Sequence, residues 1–223
     1  EKQVILAAYL PSFGAGSIYS QNEAEKGALI TMAAIFANGA YHLLIGEDRK
    51  VLTEGYYPNY GKMSPEFTRR VRSYYDFIVR YRELLFSSEL LDLTFTHCGG
   101  YNTEIGRDNE FEFEKEGVTF APHGKLDTVW TIVKENQDYV VVNLVNLLDI
   151  GNDLWNAGKQ QGTALEQITV KGLVVEGVSQ VYYASPDIND GKCIELPMRS
   201  YKSTNGYRVE VELPKLDVWG MLY

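Results

Sequence analysis

QVILAAYL, residues 3–10, is apolar at every position after Gln3. A run of this kind is what a parallel strand needs when helices cover both of its faces. After a short loop, Asn22 is placed to cap a helix, with Glu25 three residues on in a capping-box arrangement. Ala28, Met32, Ile35 and Phe36 give that helix a core-facing side, and Gly39 is a natural C′ stop. A second strand, Tyr41 to Ile45, follows at once, so the opening forty-odd residues spell a βαβ unit.

A longer helix comes next. Ser64 caps it and Pro65 occupies its first turn, where a missing N–H costs nothing. Phe67, Val71, Tyr74, Ile78, Tyr81 and Leu85 then recur at spacings of four and three, which is a helical stripe. The first hundred residues therefore read strand, helix, strand, helix. Two parallel strands cannot bury both faces or satisfy both edges without further strands beside them. Those strands come either from another chain or from sequence upstream of Glu1, and the second is favoured. The start EKQVILAAYLPSF has neither an initiator Met nor a signal-peptide cleavage pattern, and it enters a strand almost at once.

From about residue 110 the pattern changes. VWTIVKENQDYVVVNLVNL reads as two strands joined around Asn136 to Asp138, and ITVKGLVVEGVSQVYYA continues with short strands punctuated by glycine. RSYKSTNGYRVEVEL is a hairpin turning at Asn205-Gly206. Several short strands without helices indicate an antiparallel β-sandwich. The Gly/Asn-rich stretch from Cys98 to Asn109 is a plausible junction. The expected architecture is α/β plus all-β, with an α/β part over 1–105 and a sandwich over 106–223.

The composition narrows the function. The 223 residues are 45% hydrophobic and 23% charged, as in an ordinary globular protein. A net charge of −9 argues against nucleic acid or an anionic membrane as a partner, and no stretch reaches the length of a membrane span. Neutral polymers and small molecules remain. The 16 tyrosines and 3 tryptophans suit sugar faces, and they equally suit sandwich cores. Cys98 and Cys193 lie far apart in no zinc pattern, so no metal is expected; a disulfide is open but not demanded. The His97–Cys98 pair suggests a nucleophile only weakly, since adjacent residues rarely converge on one substrate.

Three candidate chemistries can be weighed. Gly14 and Gly16 follow a strand and precede a helix, and Glu47 ends the next strand, as in a dinucleotide site. Tyr19 occupies the third glycine position, however, and Pro11 and Ser12 lengthen the turn, so no cofactor is expected. Glycosidases use two acids flanking one bond. Glu47 and Asp48 are adjacent and would point to opposite sides of an extended chain, while NEFEFEKE reads as solvated acids or an alternating strand edge. This chain thus contains no catalytic pair. What remains is the rim pattern: Tyr9, Ser12 and Phe13 follow the first strand, and His42, Glu47, Asp48, Tyr56 and Tyr57 end or follow the second. In an α/β barrel both sets lie on the C-terminal rim, where substrates bind.

Several stretches together resemble glycoside hydrolase family 66, the endo-dextranases and cycloisomaltooligosaccharide glucanotransferases. They are ILAAYL, ANGAYHLLIGE with EGYYPNYGKMSPEF, and WTIVKENQDYVVVNLVNL. The resemblance covers nearly the whole chain in order. It implies that residues 1–105 are the last two strand–helix units of a (β/α)8 barrel, with a β-sandwich after them. It also implies a retaining mechanism whose Asp nucleophile and Glu acid/base lie on earlier strands, absent from this chain. Glucanotransferases of the family carry a carbohydrate-binding module inserted after the strand matched by Val4 to Tyr9. Only Pro11 to Gln21 separate that strand from its helix, which favours a dextranase. The expected partners are α-1,6-glucan (dextran and isomaltooligosaccharides) and the N-terminal remainder of a secreted, extracellular parent enzyme, this chain being inactive alone. The rim residues Tyr9, Ser12, His42, Glu47, Asp48, Tyr56 and Tyr57 would then hold glucose units. The other readings are the glucanotransferase and a non-catalytic carbohydrate-binding or scaffold module.

Overall fold

The computed structural model describes residues 3–54, 60–99, 105, 109–174 and 178–223. The chain opens with β1 (Ile5–Leu6), a single-turn 3-10 segment at Pro11–Phe13, and helix α1 (Gln21–Ala37). β2 (Tyr41–His42) returns parallel to β1, with Ile5 opposite Tyr41 and Leu6 opposite His42. β3 (Val51–Leu52) and β4 (Tyr60–Gly61) form a small antiparallel pair ahead of α2 (Pro65–Arg80). The βαβ unit and the helix after it are thus present as the periodicity indicates.

α1 begins two residues earlier than expected. Ser20 is the N-cap and Glu23 completes the capping box, its carboxylate accepting from the Ser20 N–H at 2.8 Å and hydroxyl at 2.6 Å. Glu25, expected in that role, turns away to α2. It accepts from the Ser64 N–H (2.7 Å), the Ser64 hydroxyl (2.8 Å) and Gln21 Nε2 (2.6 Å). The overlapping motifs Ser20-x-x-Glu23 and Asn22-x-x-Glu25 are locally equivalent, and the tertiary partner decides between them. Gly39 stops the helix at φ 87°, a conformation that glycine adopts without strain.

Ser64 caps α2 and accepts from the Phe67 N–H at 3.1 Å. Every member of the Phe67–Leu85 stripe is buried, although the helix breaks at Tyr81 and resumes as α3 (Arg82–Phe86). The chain then enters β5 (Leu91–Asp92), which pairs with a strand of the second half, and α4 (Thr94–Cys98).

The second half is antiparallel in all but one pairing. It contains β6 (Phe111–Glu114), β7 (Phe120–Ala121), β8 (Val129–Glu135), β9 (Val140–Asn146), β10 (Ile168–Val174), β11 (Tyr182–Ala184), β12 (Ile194–Glu195), β13 (Met198–Ser203), β14 (Gly206–Leu213) and β15 (Trp219–Leu222). The larger sheet runs β12-β11-β15-β9-β8-β5, with β7 parallel to β8, and the smaller runs β13-β14-β10-β6. The β8–β9 turn is held by Asn136 Oδ1, which accepts from the Asp138 and Tyr139 N–H groups at 2.9 and 3.0 Å. In the last hairpin Ser203 pairs with Gly206, so Thr204 and Asn205 form the loop, one residue earlier than Asn205-Gly206. Gly206, at φ 134°, opens β14 instead.

Alternation along the larger sheet puts its two faces into two cores. Val129, Val133, Val142, Leu144 and Leu222 meet Ile168, Val170, Val209, Val211 and Leu213 of the smaller sheet. Ile132, Val141, Val145, Trp219 and Met221 face the other way and pack with Met32, Phe36, Val71, Tyr74 and Phe77 of α1 and α2. Strand side chains alternate sides, so one sheet serves both layers. β15 carries a glycine at 220, beside β11, where the Tyr183 ring fills the side-chain space: a Cβ there would stand 2.2 Å from Tyr183 Oη.

A buried charge network joins α1 and α2 to β15. Asp187 Oδ1 accepts from Arg70 Nη2 (2.7 Å) and the Tyr74 hydroxyl (3.0 Å), and its Oδ2 accepts from the Val218 and Trp219 N–H groups (3.0 and 3.1 Å). Asp217 takes Arg70 at 3.1 Å and Lys26 at 3.6 Å. Burial, with the neighbouring Asp187 charge, pushes the Tyr74 hydroxyl well above the usual phenol range, so it stays a donor.

Candidate functional site

The site is built where β1 and β2 end. Their main-chain ladder runs from the Tyr41 N–H to Val4 O and from the Leu43 N–H to Leu6 O, both at 2.8 Å. The next bond in a parallel series would join the Ile45 N–H to Ala8 O. Ile45 instead forms a bridge with Val51, and the His42 ring donates its Nε2–H to Ala8 O at 3.1 Å. The imidazole therefore substitutes for a main-chain donor at the point where the strands part. Donation from Nε2 fixes the tautomer, and buried Nδ1 has no hydrogen-bond partner. Burial, opposed by the Ala8 carbonyl, holds the His42 pKa below its ordinary value, so the ring is neutral near pH 7.

His42 is almost fully buried and shares a strand face with Leu44, which packs in the helix core. Tyr9, Leu43 and Ile45, on the opposite face, are exposed. Ser12 is buried in the 3-10 turn, where its carbonyl accepts from the Ser17 hydroxyl at 2.6 Å. Of the residues expected on the rim, then, Tyr9, Glu47 and Asp48 face solvent, while Ser12 and His42 support them from beneath. Tyr56 and Tyr57 lie outside the described residues.

Glu47 and Asp48 occupy a tight turn closed by the Gly46 N–H to Lys50 O (2.8 Å) and the Lys50 N–H to Glu47 O (3.1 Å). Within it Asp48 and Arg49 both have left-handed backbone, φ 53° and 57°, which costs each non-glycine residue about 1–2 kcal/mol. The turn is braced from below. The Tyr60 ring fills the space where a Cβ on Gly46 would stand (2.3 Å), Phe13 does the same at Gly61 (2.3 Å), and Phe13 stacks on Phe67 at 5.9 Å. The Leu10 N–H reaches Leu52 O at 3.0 Å, tying the first rim loop to the second. Glu25 and Ser64 anchor the far end of this loop. Those braces carry little sequence signal, because each is a long-range contact between residues common in ordinary cores.

The weaker readings find no support in the geometry. The N-terminus of α1 is occupied by its own Glu23 carboxylate, so it offers no seat to a pyrophosphate. His97 Nε2 lies 3.2 Å from Glu135, whereas Cys98 Sγ turns to Thr94 O (3.1 Å) and Thr131 Oγ1 (3.3 Å). Burial pushes the Cys98 thiol up, the reverse of an activated nucleophile. Cys98 and Cys193 are both free thiols. Among the described residues no group of His, Cys, Asp and Glu could hold a metal ion.

An acid-bearing turn with two left-handed residues thus lies beside an exposed tyrosine, at the ends of the parallel pair β1–β2 and under a helical layer. Comparison gives the family. The sequence profile of glycosyl hydrolase family 66 matches residues 1–223, and the chain belongs to that family. A cycloisomaltooligosaccharide glucanotransferase from Niallia circulans is 30% identical over 202 residues, covering 89% of this chain and 20% of that protein. A second from the same organism is 32% identical over 204 residues, with coverage of 89% and 19%. A Streptococcus salivarius dextranase is 26% identical over 259 residues, covering 100% of this chain and 30% of its own length. Among solved structures, a Paenibacillus sp. cycloisomaltooligosaccharide glucanotransferase complexed with cycloisomaltoheptaose superposes with a TM-score of 0.75. That match is 27% identical and covers 89% of this chain and 27% of that one. The chain spans about a fifth to a third of the length of these relatives.

Proposed function

We propose that this chain is the C-terminal portion of a retaining endo-dextranase that hydrolyses α-1,6-glucosidic bonds in dextran. In this reading residues 1–105 are the last two strand–helix units of a (β/α)8 barrel, and 106–223 are its β-sandwich. The nucleophilic Asp and the acid/base Glu stand on earlier strands, and this chain supplies rim surface. Tyr9, Glu47 and Asp48 contact glucose units together with Tyr56 and Tyr57, while Ser12 and His42 hold the loops in place. Dextran is a polymer too large to enter a cell, so the enzyme acts extracellularly.

The observation that carries the proposal is the Glu47–Arg49 turn in a family-66 chain. Two consecutive left-handed residues, Asp48 and Arg49, in a turn that exposes the carboxylates of Glu47 and Asp48 at a strand end are a strained, braced feature, and such strain concentrates at functional sites. Carboxylates there accept hydrogen bonds from sugar hydroxyls, and tyrosine rings stack on pyranose faces. In the complete enzyme, Glu47→Ala lowers kcat/KM on dextran by about ten- to a hundredfold, the value of one or two hydrogen bonds to a charged acceptor. An unchanged kcat/KM removes Glu47 from the site.

The second reading is the glucanotransferase, favoured by the higher identity to the two Niallia circulans relatives. Product analysis separates the two. Linear isomaltooligosaccharides from dextran support the dextranase, and cyclic products support the transferase.

A further inference from the structure

Lys134 lies on β8 two positions beyond Ile132, so it faces the helical layer as Ile132 does. Its ammonium reaches the end of α1, 3.1 Å from where a Cβ on Gly39 would stand, and Leu85 O of α3 is equally close to that point. The residue is 7% exposed, yet among the described residues its ammonium makes no hydrogen bond and no ion pair. Asp92, its cross-strand neighbour on β5, turns its carboxylate to the Thr94 N–H at 3.0 Å. Burial holds the Lys134 pKa below its ordinary value, and the Asp92 charge offsets only part of that. A buried charge without a partner is costly, so charges inside proteins are matched by another charge or by a bound ion.

The ammonium opens on a cavity of about 210 Å³ at the start of β1. Val4, Ile5 and Leu6 of that segment are 56%, 67% and 42% exposed, so β1 lacks the cover on both faces that QVILAAYL implies. The polar side chains lining the cavity have hydrogens to give. Gln3 Nε2 uses one on Phe86 O (2.7 Å) and Asn38 Nδ2 uses one on Ala34 O (2.8 Å), and each keeps a second. The Ser87 hydroxyl accepts from the Glu89 N–H at 3.3 Å and retains its own proton, and the Ser88 hydroxyl has no partner among the described residues. Among those residues no carboxylate lines the cavity. α1 and α3 both end beside it, and helix C-termini favour a cation, which accounts for a lysine at this place. No carbonyl there accepts a hydrogen bond from the ammonium, however, so the helix ends leave it unmatched.

We propose that this cavity binds a small oxyanion of the size of phosphate, held by the Lys134 ammonium and by donors from Gln3, Asn38, Ser87 and Ser88. The ion supplies the missing charge, and its several oxygens use donors that converge from four other side chains. A neutral sugar would leave the ammonium uncompensated. Because the lining comes from β1, α1, the turn after α3, and β8, a bound ion ties the helical layer to the wall sheet.

The test is thermal unfolding of the 223-residue chain at constant ionic strength, inorganic phosphate replacing chloride, together with calorimetric titration of phosphate. The expected Tm rises hyperbolically with phosphate, by about 3–6 °C at about ten times the calorimetric Kd. Lys134→Met should abolish both the rise and the heat of binding. It should leave the Tm in chloride as high as wild type or higher, because an uncompensated buried charge is gone. Ser88→Ala, at an exposed position, should fold as wild type and weaken the Kd severalfold, which keeps the test decisive if Lys134→Met does not fold. A rise that Lys134→Met retains places phosphate elsewhere and overturns the proposal. A rise with isomaltose but none with phosphate assigns the cavity to a neutral polyol and overturns it as well. If phosphate leaves wild type unchanged while Lys134→Met lowers the Tm in chloride, the ammonium serves the helix ends alone and the proposal fails.

Discussion

Replacing Asp187 with alanine should be among the most damaging single changes in this chain. Its carboxylate is 1% exposed and receives the Arg70 guanidinium, the Tyr74 hydroxyl and the Val218 and Trp219 N–H groups. After the change Arg70 keeps Asp217 at 3.1 Å, so its charge is not stranded. The other three donors lose their acceptor, and each buried unsatisfied group costs about 1–3 kcal/mol. Breaking a buried ion pair costs about 3–5 kcal/mol, and the surviving Asp217 contact places the total toward that range rather than above it. We expect about 3–5 kcal/mol, a large fraction of the roughly 5–15 kcal/mol that holds a domain folded. With a urea slope of about 3 kcal/mol/M, the midpoint falls by about 1–1.7 M. The assay is urea denaturation followed by far-UV circular dichroism for the helices and by tryptophan fluorescence for β15. Both signals should move together, since Trp219 packs against Phe36 and Phe77. A midpoint within about 0.2 M of wild type, or a shift confined to one signal, refutes the argument.

Acidification tests the neutral His42. Its folded pKa lies below the unfolded value, so the unfolded chain binds the proton first and stability falls as pH drops through about 6.5. His42→Leu should flatten that part of the stability–pH curve, and an unaltered slope would assign it to other groups. Gly27→Ala would gain up to about 1 kcal/mol of helix propensity on an ordinary helix face. Here its Cβ would meet Ala157 O at 2.5 Å, so a lower Tm is expected, and a higher one would show that the 152–159 loop yields. In thiol titration Cys193 should react at once and Cys98 only on unfolding, because Cys193 is exposed and Cys98 is half-buried with a raised pKa. Two fast equivalents would contradict the placement of α4.

The sequence declared what depends on near neighbours. Ser64-Pro65 and the stripe from Phe67 to Leu85 fix α2, since cap, proline and periodicity all act within a few residues. The break at Tyr81 has no glycine or proline to announce it. The capping motif of α1 appears in two overlapping registers, and the choice rests on Ser64, 39 residues away from Glu25. Arg70 and Asp187 are 117 residues apart, so nothing local marks them as partners. By position alone His42 groups with the rim, because it precedes Glu47 and Asp48. Alternation already places it with Leu44 rather than with Leu43 and Ile45, and that parity would have identified it as a buried support. Exposure of β1 was invisible in composition, because an apolar run looks the same whether or not its neighbour is present.

The shared wall limits how this chain can be recombined. A cut between residues 105 and 106 falls between helices and strands in the sequence but passes through no gap in the core. It would leave Ile132, Val141, Val145, Trp219 and Met221 as an oily plate on one fragment, and Met32, Phe36 and Phe77 as its orphaned cover on the other. Neither piece can be traded into another protein as a cassette unless the recipient brings a matching surface. Within such a lineage the two parts are bound to change in step, and swaps should succeed at the outer sheet, β13-β14-β10-β6, sooner than at the wall.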